Sequence, residues 1–286
     1  MTDLPTISLV TCSYQQGRFL DATIRSVLNQ HYAALEYIVM DGGSQDESVS
    51  IIEKHAAALS GWVSEKDNGQ TDALKKGFAR AKGEVMGWLC SDDILLPDAL
   101  QRIGEYFRDN PEVDAVYGDA LWIDADGYPL RTKREMAFNR FVFLHDHNYI
   151  PQPSMFWRKR LYDKVGGLNT ALHLTMDSDL WARFAEVTHI AHTPVYLSCM
   201  RFYPEQKTRS LKPAGRVEDL MIRTRSSHLA RVPFLRPILH ISARVLRIFY
   251  KVTAGGYSAS VPKEFLPWLK AYATPVNQLE SLNEQR

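Results

Sequence analysis

Short apolar runs alternate with longer amphipathic ones through the first 120 residues, and no other feature narrows the fold as much. Ile7-Ser8-Leu9-Val10 reads as a strand, and Phe19, Leu20, Ile24, Val27 and Leu28 follow at helical spacing. Tyr37-Ile38-Val39-Met40 reads as a second strand, and Asp46 to about Leu59 as a helix. Trp62-Val63 is a brief strand, and Asp72 to Ala81 a helix with Ala73, Leu74 and Phe78 inward. Val85 to Leu89 is another strand. Pro97, placed in a first turn, opens a helix through Phe107, and Ala115-Val116-Tyr117 begins the next strand. Strands alternating with helices imply right-handed βαβ units and a mainly parallel α/β sheet.

In such sheets a ligand binds beyond the carboxyl ends of the strands. Polar clusters collect at those ends: Thr11-Cys12-Ser13, Asp41-Gly42-Gly43-Ser44 and Ser91-Asp92-Asp93. The adjacent acids Asp92 and Asp93 repel one another and call for a cation or hydrogen-bond donors. Hard oxygen ligands of this kind suit Mg²⁺ or Mn²⁺, although either acid could instead cap the following helix. Gly42 and Gly43 permit close backbone approach of a ligand, and Asp41 could accept from a base or ribose; a plain turn capped by Asp46 is the alternative. Asp67-Asn68-Gly69-Gln70-Thr71-Asp72 opens a helix whose N–H groups face an anion.

The second half is less regular. Asp124-Ala125-Asp126-Gly127 reads as a hairpin turn, 151–154 as a loop, and Met176 to Phe184 as a helix led by Asp177 and Ser178. The formal net charge of the chain is only +1, yet residues 201–252 hold 12 Lys/Arg against 3 Asp/Glu. Within them, His240, Arg244, Arg247 and Lys251 form one narrow stripe on an otherwise apolar helix from Ile238 to Val252, with Pro233 and Pro237 breaking the chain before it. Such a helix fits an interfacial position on an anionic membrane; the plainer reading packs it on the domain with the stripe in water.

Three widely spaced cysteines (Cys12, Cys90, Cys199) without a CxxC point to a reducing compartment rather than a zinc site or disulfide framework. No secretory leader or spanning helix is read, so a cytoplasmic location is expected. With 45% apolar and 23% charged residues, the chain is neither disordered nor fibrous. No nucleic-acid module accompanies the basic section.

From Ile7 to Tyr117 the chain resembles a family 2 glycosyltransferase with the GT-A fold. The stretches that carry the resemblance are Ile7 to Tyr14, Ser26 to Gln30, Tyr37 to Asp46, Asp67 to Ala73, Ala81 to Glu84 and Trp88 to Asp93. Weaker likeness continues to about Thr208. The resemblance implies a nucleotide-diphosphate sugar donor across the strand ends, touched by Thr11, Ser13, Asp41, Gln70, Asp72, Asp92, Arg201 and Lys207. Asp41 would lie at the base, Asp92 at the ribose or metal, and Asp93 would be the main ligand of Mg²⁺ or Mn²⁺. Cys90 stands where relatives often carry a third acid, Lys75 where many carry Asn, and Tyr203 where they often carry His. Gln152 to Phe156, Gly166-Gly167-Leu168 and Met176 to Trp181 resemble the acceptor side of inverting members, with Asp177 as general base. Arg201, Lys207 and Arg209 would steady the diphosphate.

The expectation is therefore a transferase domain over 1–210, its nucleotide-sugar half at 1–120 and its acceptor half at 121–210, with a helical, basic amphipathic extension at 211–286. Its activity would be inverting and metal-dependent. It would add one sugar to a saccharide or lipid-linked acceptor in surface polysaccharide synthesis, with peripheral membrane contact through 238–252 at the cytoplasmic face. Gln-x-x-Arg-Trp and spanning helices, marks of processive synthases, are absent. Two rivals are a sugar-1-phosphate nucleotidylyltransferase, which needs an Arg-containing Gly-rich loop after the first strand that 11–17 lacks, and a non-catalytic membrane-surface adaptor on a degenerate transferase fold.

Overall fold

The computed structural model describes residues 4–207 and 211–273; Arg209 lies outside them. The first half follows the alternation of the sequence: β1 (Ile7–Ser13), α1 (Gly17–Leu28), β2 (Leu35–Asp41), α2 (Ser48–His55), β3 (Gly61–Ser64), α3 (Gln70–Arg80) and β4 (Val85–Cys90). β1 pairs in parallel with β2 and β4, and β2 with β3. The α1 stripe faces the sheet as its spacing requires, with Leu20, Ile24 and Val27 fully buried.

The second half turns the sheet mixed. After β5 (Ile94–Leu95) and α4 (Ala99–Asp109) come β6 (Ala115–Ile123), β7 (Pro129–Lys133), α5 (Arg140–His145), β8 (Met155–Arg158), α6 (Lys159–Lys164), α7 (Met176–Val187) and β9 (Ile190–Arg201). β8 inserts antiparallel between β4 and β6, β7 pairs antiparallel with β6 through the expected hairpin, and β5 pairs antiparallel with β9. β6 and β9 alone in this half run parallel. Among the described residues the strand order is β3-β2-β1-β4-β8-β6-β9-β5, with β7 on β6. Two local expectations change. Pro97 precedes α4 instead of opening it, because Asp98 takes a left-handed conformation (φ 61°). Gln152–Ser154 is a turn of 3₁₀-helix, not an open loop.

Four aromatic residues join the two halves. Trp88 of β4 stacks on Trp181 of α7 at 5.4 Å, and Trp157 of β8 packs edge-on against Trp88 and Phe78. Trp88 and Trp181 are each within one helical turn or strand step of a polar cluster, so the core fixes the distance between those clusters.

Among the described residues, three α-helices follow β9: α8 (Lys212–Ser226), α9 (Arg236–Thr253) and α10 (Leu266–Tyr272). Pro237 lies in the first turn of α9, where its missing N–H leaves no bond unmade, so it starts this helix and does not break the chain. α9 is turned opposite to the plainer expectation. Most of the basic stripe faces the domain: His240 Nδ1 bonds the His145 carbonyl, Arg247 pairs with Asp146, and Lys251 Nζ lies 2.9 Å from Glu135. Arg244 remains exposed, while Ala243 is fully buried beneath the helix. The apolar side faces outward, with Ile238, Ile241, Val245, Phe249 and Val252 about 60% exposed. The buried acids below the helix favour this orientation: Lys251 joins Lys133 on Glu135, and Arg247 joins His147 on Asp146.

Candidate functional site

The carboxyl ends of β1 to β4 form one crevice. At β2, Asp41 is buried and organises its own turn. Its carboxylate accepts from Gly43 N (3.1 Å), Ser44 N (2.9 Å), Ser44 Oγ (2.6 Å) and Ser64 Oγ (2.7 Å). A carboxylate has about four acceptor positions, so a contact from Asp41 to a base must displace one of these bonds. Gly43 sits at φ 79° with Lys66 N only 3.1 Å from where a Cβ would stand, which reserves the position for glycine. At β1, Ser13 Oγ is buried and lacks a hydrogen-bond partner among the described residues, as does Gln16 Oε1 just beyond it. Buried polar atoms are rarely left so, and both stand at the carboxyl end of β1.

Several residues expected on the donor side have partners within the chain. Thr11 is fully buried within β1, its hydroxyl 3.0 Å from Tyr37 Oη, and does not line the crevice. Asp72 holds the turn before α3 by accepting from Asn68 N (3.1 Å) and pairs with Lys76 (3.2 Å). Arg201 is 2% exposed. Its Nε donates to the Asp92 carbonyl (2.8 Å) and its Nη1 to Asp124 and Ala125 carbonyls, while the guanidinium lies over Phe19. It braces the crevice wall and is no free diphosphate clamp. Lys207 Nζ donates to the His173 carbonyl (2.7 Å).

At the end of β4, Asp92 Oδ2 accepts from Tyr203 Oη (2.9 Å) and Asp93 Oδ1 from Arg201 N (2.9 Å). Tyr203 thus takes a place the sequence left open: it holds an acid and need not ligate a metal. Ligand atoms of Cys90, Asp92 and Asp93 lie within 4.8 Å of one another. Burial first, then the Asp92 charge, pushes Asp93 well above the ordinary carboxylate range. Contact with Cys12 and burial push the Cys90 thiol up, so it stays protonated. Two close carboxylates, each gripped at one oxygen and sharing the nearby charge of Arg201, suit a hard divalent cation. Gln70 Nε2 reaches Cys90 Sγ (3.4 Å), and Cys90 Sγ reaches Gln152 Oε1 (3.3 Å).

Asp177 stands in the first turn of α7. Burial pushes its pKa up to about 6 against the opposing pull of backbone N–H groups at the helix start. Asn148 Nδ2 donates to Asp177 Oδ2 (2.8 Å) and to Ser178 Oγ (3.0 Å). Gln152, four residues on, donates to the Trp88 carbonyl (2.9 Å). Segment 148–152 therefore links Asp177 to the Cys90–Asp93 cluster, and four residues span at most about 14 Å. A cleft of about 270 Å³ opens beside Asp177, lined in part by Asn148, Thr175, Ser178, Arg216 and Asp219.

One carboxylate builds the approach to this cleft. Glu218 of α8 accepts from His173 N (2.9 Å), Leu174 N (3.0 Å), Thr175 N (2.9 Å) and Thr175 Oγ1 (3.0 Å). Asn148 and Glu218 escaped the sequence reading because their partners lie 29 and 43 residues away. His192 bonds buried Asp119 (3.0 Å) and packs on Tyr117.

Residues 8–166 match the family described as Glycosyl transferase family 2. The chain belongs to this family. An uncharacterized glycosyltransferase of Mycobacterium tuberculosis is 29% identical over 204 residues, covering 70% of this chain and 75% of its own length. Among solved structures, S. aureus TarS with UDP-GlcNAc superposes at a TM-score of 0.63 and 16% identity, covering 93% of this chain and 79% of TarS. A mannosyltransferase from Pyrobaculum calidifontis, solved with GDP-Man and Mn²⁺, superposes at 0.61 and 17% identity, covering 95% and 85%. The family 2 transferase described here therefore has the GT-A fold, and it is a glycosyltransferase. No helix among its described residues is long and apolar enough to cross a membrane.

Proposed function

We propose that this glycosyltransferase moves one sugar, with inversion and with a divalent cation, from a nucleotide-diphosphate sugar to a saccharide or lipid-linked acceptor of surface polysaccharide synthesis. The acceptor would be met at the cytoplasmic face of a membrane. The observation that carries the reading is Asp177, a carboxyl group lifted to about 6, beside an open cleft and tied by 148–152 to the paired acids.

The nucleotide lies along the ends of β1 and β2, where Ser13 Oγ and Gln16 Oε1 offer unmade hydrogen bonds. Gln70, at the start of α3, faces the same crevice through Cys90. Asp93 and Asp92 would hold Mg²⁺ or Mn²⁺, which supplies positive charge to the departing diphosphate. The acceptor hydroxyl enters from the Asp177 cleft. Its oxygen bonds to the anomeric carbon as the bond from that carbon to the diphosphate oxygen breaks. The electron pair leaves on the diphosphate, and the hydroxyl proton passes to Asp177. Asn148 orients that carboxylate, and a pKa near 6 leaves it ionised but basic enough to take a proton at pH 7.

A thermal-shift screen of UDP-, GDP- and dTDP-sugars with and without Mn²⁺ tests the donor side, because a ligand that binds only the folded chain raises its melting temperature. Transfer assays of Asp177→Asn with the donor so found test the base: donor binding persists while turnover collapses. Unchanged turnover removes Asp177 from the mechanism.

A further inference from the structure

The carboxy-terminal helices build a second cleft, of about 370 Å³, lined by His145, Arg216, Asp219, Leu220, Arg223, Ala230 and Arg236. It shares Arg216 and Asp219 with the cleft beside Asp177, so the two openings adjoin. Its charge is lopsided. Asp219 is already paired with Arg223 at 2.6 Å. Arg223 also donates to the carbonyls of His145 and Asp146, yet its Nε is buried without a partner among the described residues. Arg236 Nε donates only to the Ala230 carbonyl (2.8 Å), and neither Arg216 nor Arg236 has a carboxylate partner among the described residues. The nearby Asp146 is engaged by Arg247 and His147. Burial first, then the charges of Arg223 and Arg140, holds His145 below its ordinary value, as a positive potential requires.

The surroundings of the cleft are apolar and open to solvent. Leu229 is 51% exposed and Phe234 74%, and they lead into the outward face of α9 with Ile238, Ile241, Val245 and Phe249. An apolar face of this extent needs a partner. From Leu220 to Lys263 the sequence has eight Lys/Arg and no Asp or Glu. A second copy in a two-fold dimer would set this acid-free surface against itself, cation toward cation. An anionic bilayer satisfies both the ridge and the guanidiniums.

We propose that the arginine cleft binds the phosphate of an anionic lipid headgroup while the α9 ridge seats the protein on the bilayer, so that the Asp177 cleft opens at the lipid surface. This deepens the transferase reading and rests on it in taking the adjoining cleft as the acceptor's.

Flotation of the full chain with vesicles tests it without any sugar donor, so a failed transfer assay and a failed docking site are told apart. The vesicles are phosphatidylcholine alone or with about a third phosphatidylglycerol. Nonspecific attraction of about 1 kcal/mol per basic residue near an anionic surface gives about 30-fold for any pair, so a built phosphate site requires Arg216→Gln with Arg236→Gln to lower partition onto the anionic vesicles by more than that. The control pair Arg231→Gln with Arg244→Gln, on the same surface but outside the cleft lining, should lower it less. Ile241→Asp with Phe249→Asp should abolish binding to both vesicles, with the melting temperature of each variant confirming a folded chain. Three results would overturn the proposal: a wild-type chain that fails to float, equal losses in the cleft and control pairs, or calorimetric binding of inorganic pyrophosphate without flotation.

Discussion

Replacing Asp177 by Asn should cripple the enzyme and stabilise it at once. The carboxyl group has an ordinary pKa of 3.8 and is lifted to about 6 in the fold, first by burial. The native state therefore favours its neutral form, and above the ordinary pKa every ionised Asp177 is a cost to folding. A tenfold change in proton affinity corresponds to about 1.4 kcal/mol, so lifting the group from 3.8 to about 6 means a penalty of about 3 kcal/mol, complete above pH 6. Stability contributed by this group is lost as pH rises from about 4 to 6, the reverse of a salt-bridged carboxylate. Asn keeps the shape, still accepts from Asn148, and carries no charge. At pH 7.5 the variant should melt about 6–12 °C above wild type, given about 2–4 °C per kcal/mol for a chain of this size. At pH 4.5 the advantage should shrink to about a third. Transfer should fall by about two to four orders of magnitude, and the wild-type kcat profile should rise through an apparent pKa near 6. Calorimetric scans at the two pH values decide the matter. A variant that melts at or below wild type at pH 7.5, or a gap that ignores pH, refutes the account of Asp177 as a destabilised, desolvated base.

Asp93→Ala should abolish the melting shift that Mn²⁺ and donor produce together; a preserved Mn²⁺-dependent shift would free Asp93 of its metal role. Glu218→Ala should cost about 2–4 kcal/mol by stranding three backbone N–H groups, read by urea unfolding, with a lower kcat from a loosened loop. Hydrogen bonds hold Glu218 below its ordinary value despite burial, so the wild-type advantage over this variant persists at neutral pH and fades as pH falls below about 4.5. Trp181→Ala should cost about 3–5 kcal/mol, and it should impair donor and acceptor functions together, since this ring couples β4 to α7; an activity loss without a stability loss would contradict that coupling.

The strand-helix rhythm of the first half was legible because both faces of that sheet are covered by helices whose spacing is local. The same coverage hid the fate of Thr11: with both faces of β1 buried, no alternation tells which residues point at the crevice. The acids were visible as residue types but not as commitments. Asp72 serves its own turn, Asp41 is saturated by its own, and nothing in their neighbourhood distinguishes this from ligand contact. β5 and β8, with two and four residues, are too short to announce themselves and exist through pairing with distant strands. The facing of α9 is favoured by Glu135 and Asp146, about a hundred residues upstream, against a pattern that by itself fitted either orientation.

The Glu218 clasp has a consequence for recombination. The loop that leads into α7 owes its conformation to a carboxylate on α8, beyond the matched family region. Chimeras that exchange segment 146–188 for that of a relative, in order to retarget the acceptor, should fail when 212–226 stays behind. On the proposed reading, the heritable unit of acceptor choice would be the loop together with its distant helix, and the two must travel as one.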